Sequence, residues 1–202
     1  MKSLETSRHR PLSVDDPRVL TYLDFLVRWN RRVSLVSRRM DRLQIERDLL
    51  APILEAVRAM GPMNGSFLDV GAGSGMGGVM FALANAELQV TFVERVFKKA
   101  AFIKQVCGEL GLARRIEVEP RDMREIDWTG RAYRYVFMRA VGKADLIHDA
   151  RDMLAPDAEL LVIGRTVGAQ RAAPLLLRRS LAVGPDLVLR VFAAGAGEKA
   201  AG

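Results

Sequence analysis

Cysteine and histidine are almost absent from this sequence of 202 residues. Cys107 is the only cysteine, so an internal disulfide is impossible and a zinc site built from thiolates is not expected. His9 and His148 are the only histidines and lie far apart in the chain, so they suggest no metal cluster. We therefore expect a functional site without a metal ion.

Long hydrophobic runs are also missing. No uninterrupted apolar segment approaches the roughly 18 residues that a membrane-spanning helix requires. Residues 1–11 are polar and lack the apolar centre of a signal peptide. We therefore predict a cytoplasmic protein that does not associate with a membrane, and we expect it to be a monomer.

Acidic residues are fewer than basic ones, which leaves a net charge of +7. Residues 28–47 alone carry seven arginines against two acids. This surplus favours a polyanionic partner such as RNA, because arginine and lysine neutralise phosphates and release counterions. The alternative is a solvated arginine-rich surface with no such partner. Trp29 lies in this stretch, and we expect it to pack an N-terminal helix onto a sheet.

Two helices are predicted before any strand. The Asp-Asp-Pro sequence at residues 15–17 is typical of a helix start, and apolar residues follow at helical spacing. Asp41 is expected to cap a second helix, which ends at Gly61. We interpret residues 1–62 as an N-terminal helical extension and residues 63–202 as one compact domain.

Strands and helices alternate in the remainder of the chain. The strands are predicted at Ser66–Val70, Leu88–Val93, Ile116–Val118, Tyr133–Met138, Leu160–Ile163 and Leu187–Phe192. The helices are predicted at Val79–Ala84, Lys98–Leu110, Ala144–Leu154 and Ala169–Arg178. Such alternation is typical of a mostly parallel, doubly wound sheet. The predicted fold class is therefore α/β, a Rossmann-like sheet preceded by the helical extension.

A glycine-rich loop follows the first predicted strand. The sequence DVGAGSG at residues 69–75 places glycines where the backbone must turn tightly and approach a ligand closely. Glu94, at the end of the next strand, can hold the hydroxyls of a ribose. Both features suit S-adenosyl-L-methionine, and the Gly-x-Gly-x-x-Gly pattern of residues 73–78 also suits a nicotinamide or flavin dinucleotide. Asp69, two residues before the first glycine, favours the methyl donor.

Other motifs accompany this loop and make a family recognisable. The chain has RWNRR at residues 28–32, LDVGAGSG at 68–75, KK at 98–99 and RAV at 139–141. Together these motifs resemble the RsmG (GidB) family, bacterial methyltransferases that modify N7 of a guanine in small-subunit ribosomal RNA. The resemblance extends over nearly three-quarters of the chain. It implies the class I methyltransferase fold, the cofactor S-adenosyl-L-methionine, and ribosomal RNA or the small ribosomal subunit as partner.

The motifs also yield a predicted set of site residues. The residues predicted to bind the methyl donor are Asp69, Gly71, Gly73, Gly75, Glu94, Asp122 and Met123. Arg139, at the carboxyl end of the fourth predicted strand, is predicted to orient the guanine or an RNA phosphate. The alternative for Arg139 is an ion pair with a neighbouring acid.

The absence of a clear general base agrees with the implied reaction. Guanine N7 carries a lone pair and no proton, so its methylation requires no base. Methylation of cytosine C5 needs a cysteine nucleophile, and Cys107 lies within a predicted amphipathic helix. Methylation of amino groups typically uses an Asp/Asn-Pro-Pro-aromatic turn, where this chain has MRAV at residues 138–141.

The chain departs from the family pattern at several positions on the expected substrate side. These positions are Ser34, Val36, Asp48, Ala51, Pro52, Met76, Gly77 and Ile163. Two alternatives therefore stay open. Beside the predicted ribosomal RNA methyltransferase, these alternatives are a diverged methyltransferase that acts on another RNA or a small molecule, and a protein that binds the donor without catalysis.

Overall fold

The computed structural model describes residues 9–139, 149–165 and 175–194. Seven strands form one sheet, with bounds β1 Gly65–Val70, β2 Leu88–Val93, β3 Ile116–Glu119, β4 Tyr133–Arg139, β5 Leu154–Arg165, β6 Leu175–Gly184 and β7 Leu187–Ala194. Their order is β3-β2-β1-β4-β5-β7-β6. The first five strands pair in parallel, and β7 pairs antiparallel with β5 and β6. The sheet is therefore mostly parallel, and its strand order reverses between β1 and β4.

Five α-helices lie in the described part of the chain. Their bounds are α1 Pro17–Asn30, α2 Arg42–Gln44, α3 Ala51–Met60, α4 Met76–Ala84 and α5 Phe97–Glu109. A π-helical segment, Ile45–Leu50, joins α2 to α3. Asp41 forms a capping box with Gln44, which satisfies backbone N–H groups that the first helical turn leaves free. The cap predicted at Asp41 is therefore confirmed.

Apolar side chains on the two faces of the sheet form two hydrophobic clusters. One face packs against α1, α3, α4 and α5, and includes the rings of Phe67, Phe92 and Phe137. The other face packs against the short 3-10 helices Met123–Glu125 and Ala150–Met153. The N-terminal helices thus share one core with the sheet. Among the described residues, every helix is too short or too polar to span a membrane.

The helix predicted at Ala169–Arg178 is wrong where the structure describes it, because residues 175–178 belong to β6. This strand forms a hairpin with β7 through residues 185–186. Backbone hydrogen bonds of the hairpin override a local composition that is compatible with a helix. The remaining positions, 169–174, lie outside the described residues.

The helix predicted at Ala144–Leu154 is also wrong at its end. Residues 150–153 form a 3-10 helix, and Leu154 already begins β5. Pairing with β4 and β7 extends β5 well beyond the predicted Leu160–Ile163. Residues 144–148 lie outside the described part of the chain.

Candidate functional site

The loop between β1 and α4 adopts a conformation that side chains with a Cβ rarely allow. Gly71, Gly73 and Gly75 have φ angles of 65°, 60° and 68°. All three lie in the left-handed region, which glycine enters without steric cost. The Gly75 N–H donates to the Ala72 carbonyl at 2.8 Å and closes the turn. This loop lies at the carboxyl end of β1, at the edge where open α/β sheets bind their ligands.

Glu94 fixes the loop from the neighbouring strand. Its Oε2 accepts the Gly73 N–H at 2.8 Å, and its Oε1 accepts the Val96 N–H at 2.8 Å. The residue is buried at the carboxyl end of β2. Charge-assisted hydrogen bonds of this kind are about twice as strong as neutral ones. The predicted donor-site residues Gly73 and Glu94 are therefore in direct contact.

Asp69 lies under the same loop and is buried. Its Oδ2 accepts the Gly78 N–H of α4 at 2.8 Å. Burial raises the pKa of Asp69 to about 7, and the nearby charge of Glu94 raises it further, while the Gly78 N–H and Arg139 act in the opposite direction. Asp69 is thus poised between its protonated and ionised forms near neutral pH.

This titration predicts a pH dependence for the stability of the ligand-free protein. A carboxyl with a pKa of about 7 when folded and about 3.8 when unfolded holds its proton only in the folded chain between those values. The contribution of Asp69 to the free energy of unfolding should therefore decline as the pH rises from about 4 to about 7. Urea denaturation of the wild type and of Asp69→Asn, which cannot titrate, measures this contribution. Parallel pH profiles for the two proteins would contradict the prediction.

Two glycines inside α4 allow the helix to approach the sheet closely. A Cβ added to Gly77 would lie 2.2 Å from Cε1 of Phe137, and one added to Gly78 would lie 2.4 Å from Cε1 of Phe92. Both rings are fully buried. These glycines therefore serve packing, and they hold the N-terminus of α4 where its Gly78 N–H reaches Asp69.

Tyr22 connects α1 to the loop, a contact that the sequence pattern did not indicate. Its hydroxyl donates to the Ser74 carbonyl at 2.9 Å. Burial raises the pKa of Tyr22 above its usual range, so the hydroxyl stays protonated and remains a donor. The rings of Tyr22 and Trp29 both contact Phe102 of α5. Tyr22 is one of the apolar residues at helical spacing in the first predicted helix, but nothing in the sequence related it to Ser74.

Arg139 ends β4 at the same edge of the sheet. Its guanidinium lies 3.9 Å from the Met76 sulfur, and its Nη2 donates to the Asp48 carbonyl at 3.3 Å. In a regular α-helix that carbonyl would accept the N–H of residue 52, but Pro52 has none. Burial lowers the pKa of Arg139. The ion pair considered as an alternative for Arg139 is absent from the described residues.

Asp122 and Met123 follow β3, the strand beside β2. Asp122 caps the short helix that Met123 begins, and its Oδ2 lies 3.9 Å from Nη1 of Arg95. Met123 is buried in the hydrophobic cluster on the second face of the sheet. The end of β3 is joined to the site because the Glu119 carbonyl accepts the Glu94 N–H at 3.1 Å.

Among the described residues, this site contains neither a cluster of metal ligands nor a reactive thiolate. The described residues contain no group of three or more histidine, cysteine, aspartate or glutamate side chains that could hold a metal ion. Cys107 is buried in α5, and burial raises the pKa of its thiol to about 12. A thiolate nucleophile is therefore unavailable near neutral pH.

The arginines of residues 28–47 divide into two groups. Arg42 forms ion pairs with Asp24 and Glu46, and Arg47 forms one with Asp48. Among the described residues of this stretch, the arginines that are exposed and form no ion pair are Arg28, Arg31, Arg32, Arg38 and Arg39. We call these five residues the arginine surface, and their charges are available to a polyanion.

Comparison with known sequences identifies one family over most of the chain. The family model for GidB, rRNA small subunit methyltransferase G, matches residues 16–167. The ribosomal RNA small subunit methyltransferase G of Halorhodospira halophila is 36% identical over 143 residues, which are 70% of this chain and 66% of that protein. Its namesake from Leptothrix cholodnii is 36% identical over 68% of this chain and 64% of that protein. The alignments thus span slightly less than two thirds of both relatives.

A longer alignment and two solved structures extend these findings. The namesake from Chromohalobacter salexigens is 33% identical over 182 residues, which are 87% of this chain and 85% of that protein. A methyltransferase from Geobacter sulfurreducens matches with a TM-score of 0.61 and 20% identity, over 91% of each chain. An RNA methyltransferase from Salinibacter ruber, solved with S-adenosyl-L-homocysteine, matches with a TM-score of 0.56 and 15% identity, over 75% of this chain and 94% of that one. The predicted fold class is confirmed.

Proposed function

We propose that this chain transfers a methyl group from S-adenosyl-L-methionine to small-subunit ribosomal RNA. The proposal follows from its family, because the chain belongs to the rRNA small subunit methyltransferase G (GidB) family. The resemblance in the motifs makes N7 of a guanine the proposed target atom. We also propose that the protein acts as a monomer in the cytoplasm, where the ribosomal RNA is its partner.

The contact between Glu94 and the glycine loop is the observation that supports the donor assignment best. The Glu94 carboxylate accepts the N–H groups of Gly73 and Val96. A carboxylate has about four acceptor positions, so Glu94 keeps capacity for the ribose hydroxyls of the donor. Asp69, beside the same loop, supplies a carboxylate for the methionyl ammonium. Asp122 and Met123 are proposed to contact the adenine.

The proposed reaction requires positioning more than acid–base chemistry. When bound, S-adenosyl-L-methionine supplies a methyl group on a sulfonium, a leaving group that needs no protonation. Guanine N7 has no proton to lose, so the chain requires no general base. Holding two reactants in line is worth up to about 7–11 kcal/mol in the best intramolecular cases. Arg139 is proposed to position the acceptor by donating to guanine O6 or to a phosphate, which leaves N7 free to react.

Pro52→Ala tests how Arg139 is held. Alanine supplies an N–H that can compete with Arg139 for the Asp48 carbonyl and so weaken this contact. One such hydrogen bond is worth about 0.5–1.5 kcal/mol, so methyl transfer should slow by about 2- to 10-fold, with donor affinity unchanged. Single-turnover rates in a double-mutant cycle with Arg139→Ala measure the coupling. An equal loss in both backgrounds would give Pro52 a purely structural role and contradict this account.

A second candidate keeps the chemistry and changes the acceptor to another RNA or a small molecule. Asp48 and Met76 both contact Arg139, and both are positions at which the chain departs from the family pattern. The Met76 side chain beside the proposed acceptor-binding residue therefore departs from the family pattern, whereas Asp48 contacts Arg139 through its backbone carbonyl. This observation favours testing several acceptors in parallel.

The acceptor test uses methyl-labelled S-adenosyl-L-methionine. Small ribosomal subunits that lack the N7 modification, large subunits and transfer RNA are each incubated with the protein. We expect label in the small subunits alone. Label in another acceptor would establish the second candidate. Donor binding by calorimetry without label in any acceptor would overturn both and leave a non-catalytic donor-binding protein.

A further inference from the structure

The first residue of α5 is a phenylalanine that faces solvent. Phe97 is 73% exposed, and Val96 before it is 41% exposed. A single exposed apolar side chain is ordinary on a protein surface. Phe97, however, follows Glu94 by three residues and therefore lies next to the proposed donor site. The backbone at Phe97 is fixed on both sides. The Glu94 carboxylate accepts the Val96 N–H, and the Val96 carbonyl accepts the N–H groups of Lys99 and Ala100.

Positive charges flank this ring. Arg95 has a side chain that is 75% exposed, Lys98 is exposed, and Lys99 is half-buried. In the described parts of the chain neither lysine forms an ion pair, and Arg95 reaches only Asp122, at 3.9 Å. An exposed aromatic ring among unneutralised cations is the combination with which proteins hold single-stranded nucleic acid. The charges complement phosphates, and the ring complements the face of a base.

We propose that Phe97 stacks on an unpaired base of the RNA beside the methylated nucleotide, and that Arg95, Lys98 and Lys99 neutralise the phosphates next to it. This inference rests on the proposed function. Guanine N7 lies on the major-groove edge of the base, and side chains cannot read that deep, narrow groove in an A-form helix. The target must therefore be presented outside a regular duplex, where a neighbouring base has a free face for Phe97. The site thus selects unpaired RNA.

The test measures binding of a short labelled single-stranded RNA, and of its duplex with the complementary strand, by fluorescence anisotropy. Base stacking on an aromatic side chain is worth about 1–3 kcal/mol, so Phe97→Ala should weaken single-strand binding by about 5- to 150-fold. Phe97→Tyr should retain binding, and Phe97→Leu should not, because only the tyrosine keeps an aromatic face. Lys98→Gln should reduce the slope of log affinity against log salt by about one unit.

Controls separate stacking from other roles of the ring. Leu176→Ala removes another exposed apolar side chain, 52% exposed on β6 at the far end of the sheet, and should leave RNA binding unchanged. Equal losses in Phe97→Tyr and Phe97→Ala, or equal losses for duplex and single strand, would overturn the proposal. A weaker affinity for S-adenosyl-L-methionine with unchanged RNA binding would overturn it as well and assign Phe97 to the donor site. Because these assays measure binding, they remain informative if no ribosomal RNA is methylated.

Discussion

Glu94→Gln is expected to weaken the binding of S-adenosyl-L-methionine by about 10- to 150-fold, the largest effect on donor binding that the structure predicts. The carboxylate accepts two backbone N–H groups at 2.8 Å. A glutamine has one oxygen and one NH2 group, so one backbone N–H would face another donor. Each hydrogen bond to a charged group is worth about 1.5–3 kcal/mol, and the loss of one reshapes the loop at Gly73. Isothermal titration calorimetry measures the change directly.

A matched control distinguishes this local effect from the loss of one negative charge. Glu109, exposed at the end of α5, is the suitable position for the same substitution. Glu109→Gln should bind the donor as the wild type does. If Glu94→Gln also bound the donor with wild-type affinity while folding normally, the donor site would not be the one built from Glu94 and the glycine loop.

Gly77→Ala is expected to cause the largest loss of stability among single methyl additions at the glycines that the structure describes. The new Cβ would lie 2.2 Å from Cε1 of the buried ring of Phe137, so either the ring or α4 must shift. Overpacking of a well-packed core costs about 1–3 kcal/mol of stability and occasionally more. Because the new contact is so short, we expect a cost near the upper end of this range. The gain of roughly 1 kcal/mol from replacing glycine by alanine in a helix offsets only part of that cost. Urea denaturation followed by circular dichroism measures the difference.

Gly108→Ala provides the control of opposite sign. Gly108 also lies in a helix, α5, but a Cβ at this position would meet nothing within 4 Å. Its replacement should therefore stabilise the protein by about 0.4–1 kcal/mol. A Gly77→Ala variant as stable as the wild type would mean that α4 packs less tightly on the sheet than described, and the geometry of the Asp69 contact would need revision.

The fold was predictable from the sequence wherever local signals were strong. The DVGAGSG motif of residues 69–75 predicted the turn after β1, and the family that this motif indicated together with the other motifs is confirmed by the match to residues 16–167. The β6 strand was not predictable, because its identity depends on pairing with β7 and because its own composition allowed a helix. The sequence pattern of residues 73–78 assigned Gly77 and Gly78 to the loop, but both lie inside α4 against aromatic rings.

The sequence predicted which side chains lie at the carboxyl ends of β1, β2 and β4, but not which contacts they make. Spacing singled out Asp69, Glu94 and Arg139, and the roles of these three side chains toward a ligand stay predictions. Contacts between distant segments were beyond sequence reasoning, since no local pattern relates the hydroxyl of Tyr22 to the carbonyl of Ser74. The same holds for the Asp48 carbonyl, which reaches Arg139 only because the fold brings the π-helical segment to the end of β4.

Analysis of the methylated nucleoside tests the central claim most directly. Small ribosomal subunits lacking the N7 modification are incubated with methyl-labelled S-adenosyl-L-methionine and either the wild type or Glu94→Gln, and the RNA is then hydrolysed. The account predicts label in 7-methylguanine with the wild type and its loss with the variant. Label in a different nucleoside, or no label from a wild-type protein that binds the donor, would contradict it.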